Sequence, residues 1–92
     1  MLIEYDAEKS ARNEEVRGLP FGMVEDFDWD SAMVVEDTRR DYGERRFQAI
    51  GLLGERLHVV VFTSIPGGIR IISLRKANHR EMNHYDKAAP RT

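Results

Sequence analysis

From residue 32 to residue 74 the apolar residues recur with a period close to two, and the run is cut by tight-turn signals. This constrains the chain more than any other feature. Strands are read at 32–36, 45–53, 56–63 and 69–74, joined by a polar turn at 37–43, by Gly54-Glu55 and by Pro66-Gly67-Gly68. Connections this short join antiparallel neighbours, because a parallel crossover needs a dozen or more residues. Val59-Val60-Val61-Phe62 and Ile71-Ile72 are apolar on consecutive positions, which marks strands covered on both faces. With 92 residues the chain has room for one core, burying roughly 60–65% of its unfolded surface. It has no cysteine, which excludes disulfides, Cys-based zinc sites and a thiol nucleophile.

The flanks are helical. Residues 1–5 alternate weakly, as an edge strand does. Asp6 is an N-cap and Gly18 a C′ residue for a polar helix, Ala7–Arg17, whose few apolar positions are Ala7, Ala11 and Val16. Pro20 opens a shorter helix with Phe21 and Val24 on one face, and the acidic stretch 25–30 reads as its frayed end and a loop. At 77–89 helical spacing returns: Asn78 and Glu81 form a capping box, Met82, Tyr85 and Ala89 make an apolar stripe for the sheet, and Pro90 ends the element. The expected fold is a single α+β domain over residues 1–92, ordered β-α-α-β-β-β-β-α, with helices packed on an antiparallel sheet. No apolar run reaches the roughly 20 residues of a membrane span, and no basic segment followed by an apolar stretch opens the chain. A cytoplasmic protein without membrane contact is expected.

The formal net charge of −2 conceals a division. Residues 1–42 carry twelve acids against five bases, −7; residues 43–92 carry nine bases against four acids, +5, and all three histidines. Such asymmetry suggests an anionic partner for the second part, with a basic groove on one face and the acidic side turned away. Lys76, Arg80, His84, Lys87 and Arg91 follow one another at spacings of three and four, a stripe suited to a phosphate backbone or simply to a solvated helix face. Arg70 and Arg75 are five apart, so a regular strand sends them to opposite faces. Arg70, beside apolar neighbours, is expected to be partly buried and paired, with Glu44 the candidate acid. His79 and His84 lie roughly 140° apart on a helix and His58 on another element, so they make no metal site. No glycine loop of phosphate-cradling type occurs, and Ser73 is a packing residue rather than a nucleophile. No cofactor is expected.

A basic surface bearing His, Tyr, Arg and Glu can serve RNA cleavage by the 2′-hydroxyl on its neighbouring phosphate. That reaction needs a base, an acid and cations for the developing charge. Composition alone does not separate it from passive binding.

Beyond these features the chain resembles the BrnT family of ribonuclease toxins of toxin–antitoxin modules. The resemblance is carried by Tyr5-Asp6, Lys9, Asn13, Arg17-Gly18-Leu19-Pro20-Phe21 and Asp37-Thr38-Arg39-Arg40-Asp41-Tyr42-Gly43-Glu44-Arg45-Arg46. Gly51 and the segment 57–63 add to it. Its most specific part is Ile69-Arg70-Ile71-Ile72-Ser73-Leu74-Arg75-Lys76-Ala77 with Arg80, Glu81 and Tyr85. It implies a RelE-like fold, metal-independent RNA cleavage that blocks translation, and neutralisation by a BrnA-like antitoxin through which the complex binds DNA. A toxin dimer inside that complex is left open. By motif match it implies Glu44, Arg46, Arg70, Arg75, Lys76, Arg80 and Tyr85 as catalytic residues, with Glu81 a further candidate; His79, His84 and Lys87 of the basic last helix are expected to contact RNA. In role, Lys76, His79 or Glu44 is the base and Tyr85 or His84 the acid. The chain departs from the family pattern at Arg17, where many members carry His. It departs again at Ile65, where many carry Arg two positions beyond the threonine. The second departure raises an alternative: a weakly active or inactive member that only binds antitoxin or RNA.

Overall fold

A computed structural model describes residues 1–88 of the chain. Strands β1 (Leu2–Glu4), β2 (Met33–Asp37), β3 (Arg46–Leu53), β4 (Arg56–Ile65) and β5 (Gly68–Lys76) form one sheet in the order β1-β5-β4-β3-β2. Helix α1 (Ala7–Arg17) and a 3-10 helix (Phe21–Asp26) separate β1 from β2, and α2 (His79–Ala88) follows β5. The domain is α+β as expected, but the second helical element is 3-10 and the sheet is mixed. β1 pairs parallel with β5, in register Ile3 with Ile69. It can do so because the helices carry the chain from β1 to the far edge of the sheet, and the β2–β5 meander then brings it back alongside β1. Ala89, Pro90 and Arg91 lie outside the described residues.

The Gly54-Glu55 hairpin is as read, with Leu53 paired to Arg56, whereas the other is tighter than its turn signal suggested, with Ile65 paired to Gly68 across Pro66-Gly67. Gly67 and Gly54 take φ values of 81° and 66°, which glycine adopts without a Cβ clash. Gly68 has a different requirement: a Cβ there would run into the carbonyl of Leu2, so the β1–β5 contact depends on its bare backbone.

The register divides the sheet into two faces. On one, Phe47, Ala49, Leu53, Val60, Phe62, Ile69, Ile71 and Leu74 pack beneath Leu19, Phe21, Val24 and Phe27. Phe62 stacks with Phe47 at 5.6 Å between centroids and meets Trp29 edge-on at 5.5 Å. The acidic stretch expected to fray is therefore pinned: Phe27 is buried, and the Asp28 amide donates to the Leu52 carbonyl at 2.9 Å. The other face carries a smaller cluster of Ile50, Val59 and Ala77, which Met33, Leu57, Val61, Met82 and Tyr85 join. Helix α2 covers only that part.

Helix α1 docks by polar contacts. Its buried residues are Ser10 and Asn13, while Val16, one of the expected apolar positions, is 73% exposed. The Asn13 amide nitrogen donates to the Leu19 carbonyl at 2.7 Å and to the Leu74 carbonyl at 2.9 Å, and its oxygen accepts from Arg17 at 2.9 Å. The Phe21 amide donates to the Ser10 hydroxyl at 2.9 Å. One buried carboxamide thus ties the helix, its Gly18 turn and β5 together. Replacing it strands two carbonyls without donors. Asn13→Ala is expected to lower stability by about 1–3 kcal/mol, whereas Val16→Ala on the same helix stays within about 0.5 kcal/mol. Urea denaturation of the two variants checks this.

Candidate active site

Arg70 and Arg75 face the same way, against the expectation for a regular strand. Val61 pairs with Ser73, but the next residue, Phe62, pairs with Ile71, so Ile72 has no partner in β4. This extra residue is a β-bulge, and it changes the parity of everything beyond it. Arg70 now stands opposite Thr63 and Arg75 opposite Val59, four residues apart on β4 and hence on one face. On β3 and β2 the same face carries Gln48, opposite Val61, then Arg46, and Asp37, opposite Arg46.

The β2–β3 connection supplies the other half of the cluster. Glu44 is ion-paired to Arg46 at 3.2 Å and to Arg70 at 3.0 Å, joining β3 to β5 through one carboxylate. The expected Arg70–Glu44 pair is present, but Arg70 is exposed rather than partly buried. Its guanidinium emerges from the sheet instead of lying among the apolar residues beside it in sequence, which point to the other face. Arg46 lies over the Tyr42 ring, 4.3 Å from its centroid, and the Tyr42 hydroxyl donates to Asp37 at 3.1 Å.

Asp37 is the hub. Its side chain is 2% exposed and accepts two bonds from the Arg39 guanidinium, at 2.9 and 2.8 Å, and one from the Arg39 amide at 3.2 Å. Gln48 adds a longer donor contact at 3.4 Å. The Arg39 guanidinium holds the Asp37 carboxyl far below the usual carboxylate range, against the opposing effect of burial; its amide, Tyr42 and Gln48 help. The side chain of Arg39 itself is 71% exposed. Its charge is felt at both Arg75 and Glu81.

Arg75 and Glu81 pair through two bonds of 2.8 Å each. The same carboxylate accepts the Asn78 amide at 2.9 Å, and the Glu81 amide donates to Asn78 Oδ1 at 2.8 Å, so the expected capping box is present. Hydrogen bonding to Arg75 holds Glu81 below its ordinary range, again against burial. Glu81 thus both caps α2 and fixes Arg75 on the sheet face.

Other expected site residues lie elsewhere. Lys76 ends β5 rather than standing on the helix, and pairs with His58 on the strand parity opposite to Arg75. The expected stripe therefore loses its first member to the strand, while its last, Arg91, is outside the described residues. His79, Arg80, His84 and Lys87 are exposed on α2. The Tyr85 ring packs in the smaller cluster and its hydroxyl donates to the Ser31 carbonyl at 3.0 Å, which makes it a tether between α2 and the loop before β2. Asp37, Arg39 and Tyr42 belong to the cluster although they were not singled out as site residues. The signal is the segment Asp37–Arg46, of which the motif match singles out only Glu44 and Arg46. Nor does the division of charge by halves survive folding: Glu36 pairs with Arg45 at 2.9 Å, and Arg39 sits with the bases of the second half. No group of three or more His, Cys, Asp or Glu side chains among the described residues is placed to hold a metal ion, and no described helix is long and apolar enough to cross a membrane.

Among known families, the model for the "Ribonuclease toxin, BrnT, of type II toxin-antitoxin system" matches residues 5–81. No curated protein and no solved structure matches.

The Asp37 hub makes an acid-limb prediction. A carboxylate with a depressed folded pKa contributes stability above its unfolded value, here 3.8, and loses that contribution as pH falls through the folded value. Stability measured by denaturation is expected to fall with pH below about 4. Asp37→Asn is expected to be less stable at neutral pH and to show a shallower acid limb. An unchanged limb would contradict the hub.

Proposed function

The chain belongs to the BrnT ribonuclease toxins of type II toxin–antitoxin systems, and on that premise we propose that its arginine-bearing sheet face cleaves RNA without a metal, using the RNA's own 2′-hydroxyl. The single observation that carries this reading is the gathering of Arg46, Arg70 and Arg75 on one face, with Glu44 between the first two. Forked guanidinium donors match the oxygens of a phosphate, and three of them can hold the added charge of a pentacovalent phosphorus.

In this mechanism Glu44 takes the proton from the 2′-hydroxyl. The 2′ oxygen bonds to phosphorus, the bond from phosphorus to the 5′ oxygen breaks, and a proton passes to that leaving oxygen from water or from His84 on the neighbouring helix. The products end in a 2′,3′-cyclic phosphate and a 5′-hydroxyl. Arg80, His79 and Lys87, exposed on α2, contact the RNA, and Lys76 binds phosphate from the neighbouring edge. An antitoxin of BrnA type covers the same face when bound and carries the complex to DNA. Toxicity follows from cleavage that stops translation.

A second reading rests on Ile65. It shares its strand parity with Val61 and Thr63 and so belongs to the Arg70 face, opposite Gly68. An apolar residue there, where the family resemblance leads one to expect an arginine, favours a member that binds RNA or antitoxin without cutting.

Labelled RNA incubated with purified protein in EDTA separates the two. The first reading predicts fragments ending in cyclic phosphate, and loss of about 100-fold or more in cleavage rate for Arg70→Ala or Arg75→Ala, with circular dichroism unchanged. Binding without fragments supports the second reading.

A further inference from the structure

Several bases outside the sheet face collect along one groove. A cavity of about 260 Å³ between α1 and β5 is lined by Lys9, Arg12, Arg17 and Val16 from the helix and by Ile72 and Ser73 from the strand. A second, of about 370 Å³, is lined by Arg17, Leu19, Arg75 and Lys76. Arg17 lines both, so the two adjoin at its side chain, and Arg75, in the second, also belongs to the candidate active face. No carboxylate lines either cavity.

The sequence of α1 explains this lining. Lys9, Arg12 and Val16 recur at the spacing that puts residues on one side of a helix, and Glu8, Glu14 and Glu15 fall on the remainder. Three of the five bases of the acidic first part, Lys9, Arg12 and Arg17, stand here. From Lys9 to Arg17 the helix advances about 12 Å, so the cations are spaced along the groove rather than focused on one point. Phe21 lies beneath at 2% exposure and offers no ring for a base to stack on. A groove with spaced cations, a serine hydroxyl and no exposed aromatic ring contacts a nucleic-acid backbone rather than base edges.

We infer that this groove is a second RNA site, which holds the phosphates of the strand running away from the cleaved bond through Lys9, Arg12, Arg17 and Lys76, without selecting sequence. The inference rests on the ribonuclease reading. It adds to it a length dependence: RNA that extends past Arg75 binds more tightly than RNA that ends there.

The test uses Lys9→Ala/Arg12→Ala. Both side chains are exposed on α1, and alanine is the best helix former, so the fold is kept. Binding of 2′-O-methyl oligonucleotides, which the 2′-hydroxyl mechanism cannot cleave, is followed by fluorescence anisotropy over a salt series, alongside cleavage of a dinucleotide. Removal of two phosphate contacts is expected to reduce the slope of log K against log salt by about 1.4. The longer oligonucleotide is expected to bind more weakly, and dinucleotide cleavage to stay at the parent rate. An unchanged slope and affinity would overturn the site. Equal loss of dinucleotide cleavage would overturn it as a site separate from the chemistry. Unchanged RNA binding combined with lost binding of a polyglutamate peptide would assign the groove to an acidic protein segment instead. If the parent protein neither binds nor cleaves RNA, the ribonuclease reading itself fails, and the inference with it.

Discussion

Ile72 stands in β5 without a partner across the sheet, and the positions of the arginines follow from that. An alternating strand would send Arg70 and Arg75 to opposite sides, one of them onto the face where Leu19, Phe21 and Val24 make the core. A guanidinium there would need a partner within the core and would displace apolar packing. The bulge absorbs one residue, so that Ile69, Ile71 and Leu74 all reach the core while Arg70, Ser73 and Arg75 remain on the other side. Apolar burial is the dominant favourable contribution and holds Ile71 and Leu74 in place. The bulge is the local distortion that lets both demands be met. The same residue lines the groove beside α1, so a single insertion shapes both surfaces.

The cations on that face are held before any ligand arrives. Glu44 restrains Arg46 and Arg70, Tyr42 supports Arg46 from below, Asp37 fixes Arg39, and Glu81 fixes Arg75. Each carboxylate is itself placed by backbone: Asp37 at the end of β2 opposite Arg46, Glu81 in the first turn of α2. Like charges brought together repel, and the interleaved acids offset that repulsion in the free protein. Positioned cations of this kind favour charge that develops during a reaction, because little reorganisation is left to do.

Much of this was legible in the chain. Period-two patterning and the glycine turns marked the β2–β5 meander, and Asn78 with Glu81 marked the start of α2. Asp6 and Gly18 bounded α1 as read. The parallel β1 was not legible, because three residues carry no signal of pairing direction and the contact depends on Gly68, which read as part of a turn. The face shared by Arg70 and Arg75 was hidden because parity arguments assume an unbroken strand. The clue was Ile71-Ile72, two apolar neighbours that read as two-sided covering and in fact mark the bulge. The family resemblance implies a catalytic role for Tyr85, and nothing in the sequence signals the bond that its hydroxyl makes to the Ser31 carbonyl. The Asp37 hub rests on residues two and five apart in sequence, a spacing typical of loops, where pattern alone says little about which side chains converge.

The face shared by Arg70 and Arg75 depends on the register of β4 against β5, and cross-strand nuclear Overhauser effects measure that register without reference to activity. The bulge predicts close backbone contacts between Val61 and Ser73 and between Phe62 and Ile71, with Ile72 opposite neither. Contacts between Phe62 and Ile72 in an unbroken ladder from Thr63 to Val59 would return Arg70 and Arg75 to opposite faces, and would contradict the shared site.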